Sequence, residues 1–256
     1  MKPALGFRQP IVPKNWQKLP SGGLILTGVN QVLAHWWPKF FGYHLLKIGN
    51  LSTEIDSQSS PIKNQVNVAM NVTGDDAGGV IADIDDLPFL EHSVDVCLLS
   101  HTLEFSVDPH HVVREANRVL IPNGYMVLTG YNPFSVAGLN KLLPYRRQTY
   151  PWSERFFSPN RIKDWLHLMG YEILADERIL HHRLSGNKEP GVIASYWQNF
   201  ASRYFTSLGS VYVIIAKKRR LPLTPIKPKW QLRPNFKPVN VSPMNSSQRC
   251  EKLTKK

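Results

Sequence analysis

The chain has 256 residues, 42% hydrophobic and 20% charged, a balance that suits a globular protein and excludes a disordered, collagen-like or fibrous one. Its formal net charge of +12 sits at one end, since residues 1–216 hold 19 Lys and Arg against 18 Asp and Glu while residues 217–256 hold 12 against Glu251 alone. The part before the tail is close to neutral, which implies no basic groove for nucleic acid there.

Residues 1–29 read as an N-terminal extension. Its first fifteen residues carry Pro3, Arg8, Pro10 and Pro13 and lack the continuous apolar stretch of a signal peptide, and nothing downstream approaches the ~18 apolar residues of a membrane span. Cys97, inside an apolar run, and Cys250, in the tail, suggest neither a disulfide framework nor a metal site, so the expectation is a cytoplasmic protein. The stretch Gln31 to Phe41, rich in Leu and aromatics, predicts a leading helix that Pro38 kinks or ends. A buried strand over Tyr43 to Gly49 follows, stopped by Gly and Asn. Leu51 to Pro61 shows no sustained helical stripe, so the crossover holds a turn or two of helix at most. Gln65 to Asn71 alternates as a second strand, Gly74 to Gly79 is a loop, and Val80 to Ala82 a short third strand.

Val94 to Ser100 is apolar on both faces, as a central strand of a sheet covered on both sides must be. Asp108 to Leu120 has its apolar residues at helical spacing, with Asp108 as N-cap and Pro109 as first helical residue. Asn123-Gly124 turns the chain into a strand at Tyr125 to Thr129. A second such helix covers Asn160 to Met169, with Ser158 a cap candidate and Gly170 the stop. Tyr171 to Leu180 and Ser210 to Ala216 are the last strands, and between them Val192 to Tyr204 places aromatics at helical spacing, as core packing or a lid over a substrate. The predicted architecture is one α/β domain over 30–218, a doubly wound, mostly parallel Rossmann-like sheet with an antiparallel edge. Residues 219–256, rich in Pro and Lys/Arg without periodicity, form a basic tail: a solvated disordered extension, or an anchor to nucleic acid or anionic lipid.

One constellation carries chemistry. Asp83-Ile84-Asp85-Asp86-Leu87-Pro88-Phe89 is followed by Ser93-Val94-Asp95, the apolar strand, and Ser100-His101-Thr102-Leu103-Glu104, then by Asp108-Pro109, Arg114-Glu115-Ala116-Asn117-Arg118-Val119-Leu120 and Pro122-Asn123-Gly124. In order and spacing this resembles the class I S-adenosylmethionine-dependent methyltransferases, type 11 group, across about Leu45 to Pro144. The resemblance implies the seven-stranded methyltransferase fold and S-adenosylmethionine as cofactor. It also implies a cofactor-binding set of Gly49, Asn50, Asn71, Asp83, Ile84, Ser100 and His101. Asp83 would take the adenine amino group, Ile84 its face, Asn71 the ribose hydroxyls, and Ser100 onward would lie near the methionine portion and the methyl group.

The first motif departs from the family's pattern. Lys47-Ile48-Gly49-Asn50-Leu51 keeps one glycine of three and puts Lys where an acid is usual, so Leu51 carries a Cβ where close backbone approach normally requires glycine. His101 and Glu104, just past the central strand, are candidates for a base and its orienter or for structural residues, and no catalytic residue is assigned. The pairs His110-His111 and His181-His182 have no ligand set at metal spacing, so no metal is expected. No Gly-x-Gly-x-x-Gly follows a strand, which disfavours a nicotinamide dehydrogenase. Three functions fit: a methyltransferase acting on a small molecule, a catalytically inactive binding or regulatory protein on the same fold, and a nucleic-acid-associated methyltransferase using the tail.

Overall fold

A computed structural model of the chain describes residues 12–69, 79–139, 152–180 and 208–219, all within the unit Met1–Leu221. Asn71, the aromatic stripe at 192–204, His181-His182 and the basic tail lie outside the described residues. The elements in chain order are α1 (Gly22–Trp36), β1 (His44–Ile48), α2 (Asn50–Thr53), β2 (Asn64–Ala69), β3 (Gly79–Ile81), β4 (Val94–Ser100), α3 (Pro109–Val119), β5 (Leu120–Tyr131), α4 (Val136–Leu139), α5 (Pro159–Leu168), β6 (Tyr171–Ile179) and β7 (Val211–Lys218). The strands form one sheet in the order β3-β2-β1-β4-β5-β7-β6. The pairs from β3 to β5 are parallel, and β7 runs antiparallel to both β5 and β6. This is the doubly wound sheet with an antiparallel edge that the alternation of strands and helices implies, and its order reverses between β1 and β4.

Strand alternation divides the core into two layers. Leu46 and Ile48 of β1, Cys97 and Leu99 of β4, and Met126 and Leu128 of β5 pack with Val112, Val113, Ala116 and Val119 of α3 and Ile162 and Leu166 of α5. On the other face Leu45, Val96, Leu98, Val127, Val213 and Ile215 pack with Ile25, Val29 and Leu33 of α1. Trp16, Leu19, Trp37 and Phe40, at most 1% exposed, join this second layer. Every residue of β4 is buried, as its two-sided apolar run requires.

The helix caps hold as the sequence indicates. Asp108 accepts from the amides of His110 and His111 at 3.0 and 3.2 Å, Ser158 accepts from Arg161 N, and Gly170, at φ +82°, ends α5. Two elements differ from expectation. The leading helix runs Gly22–Trp36 rather than Gln31 to Phe41, and Pro38 lies in a following 3-10 turn. Gly22, Gly23 and Gly28 are poor helix formers that conceal its first half, and burial of Ile25 and Val29 outweighs their propensity. Trp16 and Leu19, within the stretch read as an extension, therefore belong to the core. Likewise β5 starts at Leu120, not Tyr125, because Asn123-Gly124 forms an irregularity inside the strand rather than a turn before it. Val94 pairs with Leu120 and Val96 with Tyr125, and Asn123 takes φ +66° to absorb the extra residues.

Candidate functional site

At the switch point, the loops after β1 and β4 are laced together. Gly49 leaves β1 at φ +91°, ψ 153°, a conformation that glycine alone adopts without strain. A Cβ there would stand 2.8 Å from Thr102 Oγ1, and that hydroxyl donates to Ile48 O at 2.7 Å. Ser52 Oγ donates to the same carbonyl at 2.6 Å and accepts from Ser100 N at 2.8 Å. Lys47, in place of the usual acid, is buried and donates from Nζ to Ile55 O at 2.8 Å. Trp37 Nε1 donates to Asp56 O at 2.8 Å, and Asp56 N to Asn30 Oδ1 at 3.1 Å. The turn after the four-residue α2 is thus tied to the α1 region through Asp56 and to β1 through Lys47, the residue that breaks the motif.

A narrow pocket, with about 20 Å³ of free room inside, lies beyond these strand ends. Gly49, Asn50, Ile84, Ser100 and His101 all line it, so five predicted positions converge. Leu51 lines it too and is 3% exposed, packed into the α1 layer. Val12 and Pro13 contribute a wall from the N-terminal segment, held by Asn50 Nδ2 donating to Pro13 O at 3.2 Å. Ser100 Oγ is 2.8 Å from Thr129 Oγ1. Asp83 does not line the pocket: it is exposed, and its Oδ1 accepts from Asp85 N at 3.1 Å. Burial, reinforced by the charge of Asp83, raises the neighbouring Asp85 carboxyl above its ordinary range. Among the described residues no cluster of His, Cys, Asp or Glu could hold a metal ion, and His110 and His111 are exposed.

The Leu-Pro-Phe segment owes its place to α3. Arg118 donates to Phe89 O and Leu87 O, both at 2.9 Å, and to Glu115 at 2.8 Å, while Leu87 N donates to Glu115 at 3.4 Å. Glu115 and Arg118 of the family-like stretch therefore anchor the turn that delivers Ile84 to the pocket. The hydrogen bond from Arg118 holds the Glu115 carboxyl below its usual range, against a partial burial that opposes it. A carboxyl whose pKa is depressed on folding contributes stability above its unfolded pKa and loses it as pH falls through the folded value. Arg118→Met is therefore expected to cost about 2 kcal/mol at pH 7 by urea unfolding, with the difference shrinking below about pH 4 as Glu115 takes up its proton. Asp95 has a similar structural role: its Oδ2 accepts from Tyr43 N at 2.8 Å and His44 N at 2.9 Å, fixing the start of β1.

His101 has the most unusual environment in the pocket. It is 0% exposed and sits in the left-handed region at φ +51°. Its Nδ1 is 2.7 Å from Glu104 Oε2, whose own exposure is 2%, and the other carboxylate oxygen accepts from Tyr131 N. Its Nε2 has no hydrogen-bond partner among the described residues. The ring meets the edge of Trp16 at 5.4 Å and tilts against Tyr131 at 4.4 Å. Tyr212, fully buried near Glu104, has its phenol pushed well above the ordinary range by burial, with the Glu104 charge adding to it. Tyr131 also borders a second, apolar pocket of about 250 Å³ with Pro20, Ala137, Trp152, Phe156 and Ser210. Sequence reasoning missed Trp16 and Tyr131 beside His101, each reaching it from a separate element, while Thr102 falls in the loop from Ser100 that it expected there. The Asn132-Pro133 sequence is structural, with Asn132 Nδ2 donating to Gly209 O at 3.0 Å.

Comparison with known proteins agrees with this geometry. The family described as methyltransferase domain matches residues 45–128, from the start of β1 to the middle of β5. The uncharacterized protein YafS of Escherichia coli (strain K12) is 42% identical over 227 residues, 88% of each chain. Among solved structures, an S-adenosylmethionine-dependent methyltransferase from Archaeoglobus fulgidus superimposes with a TM-score of 0.54 at 18% identity, covering 74% of this chain and 93% of its own. The [4+2]-cyclase SpnF superimposes at 0.51 and 15% identity, covering 75% and 80%. These two likenesses concern the fold.

Proposed function

We propose, for a chain that belongs to the type 11 group of class I methyltransferase-fold proteins, that it binds S-adenosylmethionine and transfers the methyl group to a small molecule. The observation that carries this reading is the convergence of Gly49, Asn50, Ile84, Ser100 and His101 on one pocket at the switch point of the sheet. The lining fits an adenosyl group in kind: Ile84 offers an apolar face for a purine, Asn50 and Ser100 offer polar edges, and the backbone at Gly49 is bare of side chain. When bound, the cofactor supplies an electrophilic methyl on a sulfonium. The chain's own contribution is to hold the reactants in line, keep water out and receive a proton. Val12 and Pro13 line the pocket, Trp16 backs the His101 ring, and together they serve the exclusion of water.

The test is calorimetric titration of the full chain with S-adenosylhomocysteine, which should give one site, and the same heat from a chain ending at residue 218. Absence of binding up to about millimolar ligand, a free energy near 4 kcal/mol, would sink the reading. It would favour a binding module without transfer, to which Leu51 in the pocket wall and Lys47 in the first motif already point. Loss of binding with the tail would instead make residues 219–256 part of the site.

A further inference from the structure

We infer that His101 is the proton acceptor of the transfer site, and that the methyl acceptor is accordingly a molecule whose nucleophilic oxygen or nitrogen carries a proton; the inference rests on the methyl-transfer reading above. The features behind it are independent of that reading. A carboxylate only accepts hydrogen bonds, so the 2.7 Å contact with Glu104 puts a proton on Nδ1, and in the neutral ring Nε2 is then the nitrogen that carries the lone pair. A histidine that merely fills a core spends both nitrogens. Here the second is buried and has no partner among the described residues, in a side chain that lines the pocket, an arrangement that costs stability and yields nothing to the fold. The backbone bears a further cost at φ +51°, and strain of this kind in a loop at the end of a central strand marks residues held for a task.

Glu104 completes the arrangement as a positioning residue. Its two oxygens are engaged by His101 Nδ1 and Tyr131 N, so it cannot turn away, and it is placed to stabilise an imidazolium. The step balances with what the site holds. As the bond from the acceptor's oxygen or nitrogen to the methyl carbon forms, the carbon–sulfur bond breaks and its electron pair returns to sulfur. The acceptor's proton passes to Nε2 and later to water. A thioether or tertiary amine has no proton to give Nε2. A molecule bearing a hydroxyl or an N–H has the proton that the lone pair can take.

The test needs no knowledge of the acceptor. Sinefungin carries an amine on carbon where S-adenosylmethionine carries the methyl sulfonium, so it presents N–H donors at the transfer position, whereas S-adenosylhomocysteine presents none. The full chain is expected to bind sinefungin about tenfold or more tighter than S-adenosylhomocysteine by calorimetry, as a charge-assisted hydrogen bond to a buried lone pair implies. His101→Asn keeps a donor for Glu104 and tolerates the left-handed backbone but removes Nε2, so the ratio of the two affinities should fall below about threefold, whatever the variant does to each affinity alone. Glu104→Gln, which no longer dictates the tautomer, should lower the ratio in the same direction. Equal binding of the two ligands by the natural protein, or a ratio undiminished in either variant, would overturn the assignment. Failure of the natural protein to bind either ligand would remove the methyl-transfer reading itself, and this inference with it.

Discussion

Trp16→Ala is expected to cost about 3–5 kcal/mol, the range for deleting a large aromatic from a packed interior. The ring is 1% exposed among the side chains of the α1 layer, its Nε1 donates to Leu51 O at 2.9 Å, and its edge rests on His101. Removing it opens a cavity between α1 and the loop after β1 and strands a buried carbonyl at the pocket wall. Trp16→Phe keeps most of the volume and loses only the indole donor, so it should cost about 1 kcal/mol. Urea unfolding separates the two, and a Trp16→Ala variant within about 1 kcal/mol of the natural chain would show that the N-terminal segment is not part of the core. If S-adenosylhomocysteine binds as proposed, Trp16→Phe should retain it and Trp16→Ala should not, since the wall formed by Val12 and Pro13 is continuous in sequence with this anchor.

The second large effect is expected at Gly49. Alanine there must either adopt a backbone conformation costing about 1–3 kcal/mol or displace the chain, and its Cβ meets Thr102 Oγ1 at 2.8 Å besides. The hydroxyl cannot retreat without giving up its bond to Ile48 O. A total near 3 kcal/mol is expected, and Thr102→Ala in the same chain should recover the steric part alone, leaving the backbone strain. A double-mutant cycle in urea measures the recovery. Full additivity of the two losses would mean that the loops after β1 and β4 are not coupled through this contact.

What the sequence made legible, and what it did not, follows the range of the forces involved. The β4 run, the caps at Asp108 and Ser158 and the stop at Gly170 were readable because a few neighbouring residues decide them. The family-like constellation located the pocket because its spacing encodes ties such as those of Arg118 to Leu87 and Phe89. The first half of α1 was hidden by glycines that burial overrides, and β5 was cut short because Asn-Gly signals a turn whether or not the strand continues through it. The pairing of His101 with Glu104 was open from sequence as base and orienter or as structure, but the burial of His101 could not be read, because Trp16 and Tyr131, distant in the chain on either side, help to make it. Asp83, marked by its motif neighbours, is exposed, and one carboxylate oxygen accepts from its own turn.

The covering of the sheet by α1 also bears on how this protein must be made. Trp36 Nε1 reaches Glu177 Oε1 at 3.3 Å, Gly28 abuts Ile179, and α1 packs on β6 and β7, the last two strands to be synthesised. At about 5–20 residues per second, the first helix off the ribosome waits many seconds for the surface it covers, with Ile25, Val29 and Leu33 bare in the meantime. Completion of the domain is therefore gated by emergence of its C-terminal strands, and chains truncated before β7 should be sticky rather than partly folded.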